Sequence, residues 1–109
     1  MIERVWSART TKDGAASYTA YFRRVVMPEL AAVAGYRGVR LLQREIEGAT
    51  EVVVASLWES LDVIRGFAGE DIDQAVVHDE AAALFTDYER TAKHFEVVVG
   101  DDGVGKPPA

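Results

Sequence analysis

Residues 51–58 are apolar on both faces of a predicted strand, and this pattern constrains the fold more than any other feature of the sequence. Successive side chains of a strand point to opposite sides. One side carries Val52, Val54, Ser56 and Trp58, and the other carries Val53, Ala55 and Leu57. A sheet covered by helices on one side only shows a polar face to water on the other. We therefore expect protein on both sides of this strand: helices on one side, and a second copy of the chain on the other.

The rest of the sequence alternates between strand and helix patterns. The predicted elements are a strand at residues 1–10, a helix at 15–34, strands at 36–45 and 51–58, a helix between Ser60 and Gly69, a third helix from Asp79, and a strand at 92–99. The second and third strands are close enough in sequence to form a hairpin. The order approximates two successive βαβ units, which is typical of a ferredoxin-like fold. We predict an α+β protein with a four-stranded antiparallel sheet and helices on one face.

Local features refine the helices. Pro28 lacks a backbone donor, so we expect a kink or a restart there, with Met27 away from ideal α geometry. Ser60 is a predicted N-cap, and the inward residues of its helix are Leu61, Ile64 and Phe67. In the third helix, Asp79 is the expected cap and the inward residues are Ala81, Leu84, Phe85 and Tyr88.

Charge and composition exclude several classes of function. Among 109 residues, 12 Lys and Arg against 18 Asp and Glu give a net charge of -6, which disfavours nucleic acid and anionic membranes as partners. There is no cysteine, which excludes disulfides and thiolate chemistry. The absence of cysteine is compatible with a reducing compartment, so we expect a cytoplasmic protein. Because residues 1–10 lack a continuous apolar run, we expect neither a signal peptide nor a membrane span. We expect one domain over residues 1–99 and a disordered tail over 100–109.

Three segments resemble the antibiotic biosynthesis monooxygenase family, within the dimeric α/β barrel superfamily. They are residues 35–38 (GYRG), 56–60 (SLWES) and 64–69 (IRGFAG). The resemblance implies a homodimer and an apolar pocket between the helices and the sheet of each subunit. In some relatives that pocket oxidises phenolic polyketides with dioxygen and without a metal or flavin, whereas other relatives degrade haem.

The resemblance is incomplete at the residues that carry the chemistry. The haem-degrading relatives use an asparagine, a tryptophan and a histidine, and this chain contains no asparagine. Their tryptophan falls at Phe67, and their histidine falls near His78. The quinone-forming oxygenases resemble this chain at Trp58, but Ile64 lies where their tyrosine is expected. We therefore disfavour haem degradation and regard the oxygenase interpretation as weakened.

Two residues are candidates for catalysis. His78 is the candidate acid or base, because histidine is the side chain used most often for proton transfer, although a solvated loop residue is the simpler interpretation. Trp58 is the candidate for stacking on a planar substrate, or else a core residue. The predicted pocket lining is Trp6, Phe22, Phe67 and Phe85. His94 is expected to be structural.

These residues support two classes of function. The first is a cofactor-independent monooxygenase acting on a small aromatic, polyketide-like substrate, with His78 as the base and Trp58 orienting the ring. The second is a small-molecule-binding protein, or a non-oxidative cyclase or isomerase, that uses the same pocket. His78 and His94 have no partners at metal-ligand spacing, so we expect neither a metal nor a cofactor.

Overall fold

A computed structural model describes residues 1–101 of the chain. All but two residues of the expected tail lie outside this part. The strands are β1 (Ile2–Thr10), β2 (Tyr36–Ile46), β3 (Ala49–Trp58), β4 (Asp87–Tyr88) and β5 (Lys93–Glu96). The helices are α1 (Lys12–Tyr21), a π-helical segment (Phe22–Val26), α2 (Met27–Ala31), α3 (Leu61–Ala68) and α4 (Asp79–Ala82). In the described part of the chain, no helix has the length and apolar character needed to cross a membrane.

The sheet is antiparallel, with the order β2-β3-β1, and with β4 and β5 both on the free side of β1. β5 pairs with the first half of β1, and β4 pairs with the second half. Together, β4 and β5 therefore act as one interrupted fourth strand. Helices cover one face of this sheet, which confirms the predicted α+β, ferredoxin-like architecture.

The first helical region begins earlier than predicted and contains the expected restart. The Thr11 hydroxyl accepts a hydrogen bond from the Gly14 amide and caps α1, so the helix starts at Lys12 instead of residue 15. Pro28 lies in the first turn of α2, directly after the π-helical segment. Because proline cannot donate and its ring crowds the preceding turn, a wider turn before it satisfies the backbone. The expected distortion of Met27 was wrong, since its φ of -60° and ψ of -45° are ideally helical.

The predicted hairpin is formed by β2 and β3. Residues Ile46 and Ala49 close it around Glu47 and Gly48, which have φ values of 49° and 80°. Two successive residues with positive φ match the twist of the strands that they join.

α3 follows the predicted boundaries. The Ser60 hydroxyl caps it by accepting from the Val63 amide, and Gly69 ends it with a φ of 84°. Ile64 is fully buried in a cluster with Leu30 and Trp58. Leu61 is 46% exposed, so its predicted inward position was wrong: it lies at the first helical position, outside that cluster.

The prediction fails in the region after α3. α4 is a single turn that ends at Ala82, and its N-cap is His78, so Asp79 lies in the first turn and does not cap the helix. Tyr88 is in a strand instead of a helix. The Thr86 amide donates to Arg9 O at 2.8 Å, because pairing with β1 satisfies the edge of the sheet. The last strand ends at Glu96 and not at residue 99.

Candidate functional site

A cavity lies between the sheet and the helices. It is lined by strands β1 and β3, by α1, the π-helical segment and α2, by α3 and α4, and by residues 76–78, and its volume is about 50 Å³. Its polar lining residues are Arg4, Tyr18, Tyr21, Glu29, Ser56 and His78, and its apolar ones are Trp6, Val26, Leu30, Val54, Phe67, Val76, Val77 and Ala81. A cavity of this volume holds a few water molecules. A ligand with an aromatic ring therefore requires the lining to move, and residues 76–78 form a wall without regular secondary structure.

His78, the residue directly before α4, lines this cavity. Its Nε2 lies 3.0 and 3.1 Å from the two carboxylate oxygens of Glu29, in the first turn of α2. Both side chains are about half exposed. A neutral imidazole that donates from Nε2 to a carboxylate keeps Nδ1 as its proton acceptor. The pair is therefore suited to general base chemistry at the cavity.

A second polar group lies on the inner face of the sheet. Arg4 is 4% exposed, and its guanidinium donates to Ile72 O and to Gln74 O, the second at 2.8 Å. Its NH1 is also 2.8 Å from Nε2 of His94, and Nδ1 of His94 is 3.3 Å from Asp73 Oδ1. This geometry selects the tautomer of His94 that donates from Nδ1 and accepts at Nε2.

Burial changes the protonation chemistry of this group. Burial and the nearby Arg4 cation lower the pKa of His94, so its neutral form is favoured. Burial also lowers the pKa of Arg4 to about 10, and attraction to Asp73 offsets only part of this effect. Arg4 therefore stays charged at neutral pH, and attraction to Asp73 balances its buried charge only in part.

Two tyrosines complete the polar lining. Burial raises the pKa of both Tyr18 and Tyr21, so both phenols stay protonated at neutral pH. The ring of Tyr18 is 4.8 Å from that of Phe85 and 6.5 Å from that of Trp6. The wall of the cavity at β1 is therefore an aromatic cluster.

The structure brings only some of the predicted site residues together. Trp6, Phe67 and His78 line the cavity. Phe85 lies behind it, 5.6 Å from Trp6 in an edge-to-face arrangement, and Phe22 is buried beside Tyr18 on the side toward β2. Phe22 and Phe85 therefore support the wall instead of forming the lining.

Trp58 does not line the cavity in this structure. Its indole is fully buried, and Nε1 donates to Ser56 Oγ at 2.9 Å. The ring packs 5.8 Å from that of Phe67. Trp58 therefore touches the site through Ser56 and Phe67, which themselves line the cavity.

Sequence reasoning missed most of the polar lining. Glu29 is 49 residues from His78, and no local spacing connects them. Arg4 offered a signal, since it alternates with Ile2 and Trp6 and so places a cation on a buried face. Among residues 1–101, no group of three or more His, Cys, Asp or Glu side chains is placed to hold a metal ion.

Comparison with known proteins identifies relatives of this chain. A family model described as antibiotic biosynthesis monooxygenase matches residues 1–79. A search of curated proteins finds no match. Among solved structures, a mutant of MhuD with two manganese protoporphyrin IX molecules bound per active site is similar, with a TM-score of 0.59 and 19% identity. The match covers 93% of this chain and 98% of that one, so the two share a fold over nearly their whole lengths.

Proposed function

Because the chain belongs to the antibiotic biosynthesis monooxygenase family, we propose that it is a cofactor-independent monooxygenase that oxidises a small aromatic substrate with dioxygen. The observation that supports this most is the contact of 3.0 Å between His78 and Glu29 at the edge of the cavity. It provides an oriented base, next to the aromatic walls of Trp6 and Phe67.

In the proposed reaction, the substrate supplies all the electrons. A suitable substrate has an acidic methylene group conjugated to a phenol or ketone. His78 accepts one proton of that methylene at Nδ1, while Glu29 holds Nε2 and stabilises the resulting imidazolium. The substrate anion then reduces dioxygen. One oxygen atom becomes a new carbonyl of the product, and the other leaves as water with the two hydrogens of the methylene. A substrate that fills the cavity displaces its water and so protects the anion from bulk water until dioxygen reacts.

Oxygen uptake with anthrone tests this proposal. Loss of a general base lowers rates by about 10²- to 10⁴-fold, so His78→Ala should reduce uptake by at least about 100-fold. Glu29→Gln should reduce it less, since the imidazole remains. Glu80→Gln is the matched control, because this exposed carboxylate belongs to α4 but pairs with Arg24, and it should leave the rate unchanged. Unchanged uptake in His78→Ala would refute the assigned base.

A non-oxidative use of the same cavity is the alternative. A binding protein, a cyclase or an isomerase needs the apolar walls and the polar groups but not dioxygen. The absence of asparagine and the presence of Ile64 in place of the relatives' tyrosine favour this alternative. Turnover of a substrate at the same rate with and without dioxygen would establish it.

A metalloporphyrin is a further candidate ligand, because MhuD, which is similar in fold, holds two of them. The residues here fit it poorly. Nε2 of His78 is engaged by Glu29, and the chain contains no asparagine, which the haem-degrading relatives use. We expect haem titration to give no saturable Soret shift. A shift that is abolished in His78→Ala would reverse this expectation.

We also propose a homodimer formed across the open face of the sheet. Leu42 is 49% exposed and Phe95 is 53% exposed on this face, beside the apolar residues Val53 and Leu57 of β3. A stable dimer would bury on the order of 1,500 Å² here. Light scattering should give twice the chain mass of 11.9 kDa, and Leu42→Arg should lower it. Cytoplasmic location also stays a prediction, which cell fractionation would test.

A further inference from the structure

Arg4 is a buried cation that its protein surroundings compensate poorly. Its contacts in the described part of the chain are backbone carbonyls and a neutral imidazole, and no carboxylate lies within 4 Å of it. The acidic side chain that attracts it, Asp73, contacts His94 and is 71% exposed, so water and salt screen its charge. A buried charge without a directly paired counter-charge is costly.

The guanidinium also keeps hydrogen-bonding capacity beyond these contacts. It has five N–H donors in a fixed planar arrangement. Three of these donors bond to Ile72 O, Gln74 O and His94 Nε2. The other two have no partner among residues 1–101. Arg4 lines the cavity, and the guanidinium carbon lies 5.8 Å from the centre of the Phe67 ring.

Ser56 adds a second donor at the same place. It is the register partner of Arg4 on β3, and it also lines the cavity. Trp58 donates to its oxygen at 2.9 Å, which leaves the hydroxyl hydrogen of Ser56 available as a donor. Trp58 is thus a positioning residue for this hydroxyl.

We propose that Arg4 and Ser56 form an oxyanion-binding subsite in the cavity, so that the ligand is an aromatic compound carrying a carboxylate or an ionised phenol. A guanidinium and a hydroxyl bind such an oxyanion with charge-assisted hydrogen bonds, while Phe67 and Trp6 contact the ring. The oxyanion supplies the direct counter-charge that Arg4 lacks. This inference rests on the proposed function only in using the same cavity, and it requires no oxidation.

Binding measurements without dioxygen test the subsite separately from the oxygenase. The probes are 1-naphthoate and its neutral analogue 1-naphthalenemethanol, followed by calorimetry. We expect naphthoate to bind at least about tenfold more tightly, since a charged hydrogen bond contributes about 1.5–3 kcal/mol. Arg4→Gln should abolish this preference. Arg24→Gln is the matched control, because Arg24 is an exposed cation that pairs with Glu80 at the surface, and it should retain the preference.

A second measurement covers the case in which Arg4→Gln does not fold. In the unaltered protein labelled with ¹⁵N, the side-chain Nε–H resonance of Arg4 should shift on addition of naphthoate but not of naphthalenemethanol. Equal affinity for the two probes, or no saturable binding of either, would overturn the subsite. Oxygen uptake with neutral anthrone would still report on the proposed function, so the two failures are distinguishable.

Discussion

Gly35→Ala should destabilise the protein strongly, because Gly35 has a positive φ and also lies against a side chain of α3. Its φ is 90°, and a Cβ built there would lie 2.8 Å from three carbon atoms of Val63 in α3. An L-residue at positive φ costs about 1–2 kcal/mol. Overpacking costs a further 1–3 kcal/mol or so. We therefore expect a loss of about 2–5 kcal/mol in the free energy of unfolding.

Gly48→Ala is the matched control. Its φ of 80° imposes a similar conformational cost, but no atom lies within 4 Å of the position that a Cβ would take. Urea denaturation should therefore show a loss of only about 1–2 kcal/mol. Adding Val63→Ala to Gly35→Ala should recover part of the difference, since it removes the two Cγ atoms and leaves Cβ. If Gly35→Ala cost no more than Gly48→Ala, the close approach of α3 to the start of β2 would be refuted.

Three further outcomes follow from the contacts. Trp58→Phe should cost about 1–3 kcal/mol in urea denaturation, because it removes the hydrogen bond to Ser56 and leaves a gap, and an unchanged midpoint would contradict this. Because the pKa of His94 is lowered in the folded protein, the unfolded state binds the proton at a higher pH than the folded state does. The free energy of unfolding should therefore fall as pH drops below the ordinary histidine value of 6.5, by at most about 1.4 kcal/mol per pH unit. In His94→Gln, this part of the pH dependence should be absent. Arg24→Ala should cost under about 1 kcal/mol by thermal melting, because its ion pair with Glu80 is exposed, and a larger loss would show that this pair is more than a surface contact.

The elements that sequence predicted well are those with a local cause. Ser60 caps its helix through a side chain three residues from the amide that it binds, and Pro28 forces a restart through its own ring. The hairpin at Gly48 follows from a short turn between two strands. Each of these features is decided within a few residues, so periodicity and turn chemistry are sufficient to find it.

The prediction for the region after α4 was wrong because the structure there depends on contacts with residues distant in sequence. Leu84, Phe85 and Tyr88 have helical spacing, yet the chain runs along β1, where Phe85 and Tyr88 pack against Trp6 and Leu84 packs against the same core cluster. The free edge of β1 offers backbone partners that a helix would leave unused, as the bond from the Thr86 amide shows. Spacing alone does not distinguish three apolar residues on one helical face from the same residues packed against the core by a turn and a short strand.

The candidate site was predictable in part of its apolar lining and at His78, but not in the rest of its polar lining. Trp6 and Phe67 were identified by their patterns, because an inward face can be read from alternation or helical spacing. Glu29 and Asp73 were not identified, since each becomes relevant only when the fold brings it to a histidine 49 or 21 residues away in sequence.

The interrupted fourth strand also affects whether molecules of this protein aggregate at high concentration. Sheet edges promote aggregation when they are long and regular, and short strands or charged side chains prevent this. At one edge, β4 and β5 have only two and four residues. At the other, β2 carries Arg37, Arg40 and Arg44 and has a register shift near its start. Both edges of the sheet therefore disfavour strand pairing between molecules. We expect concentrated solutions of the protein to form no fibrils.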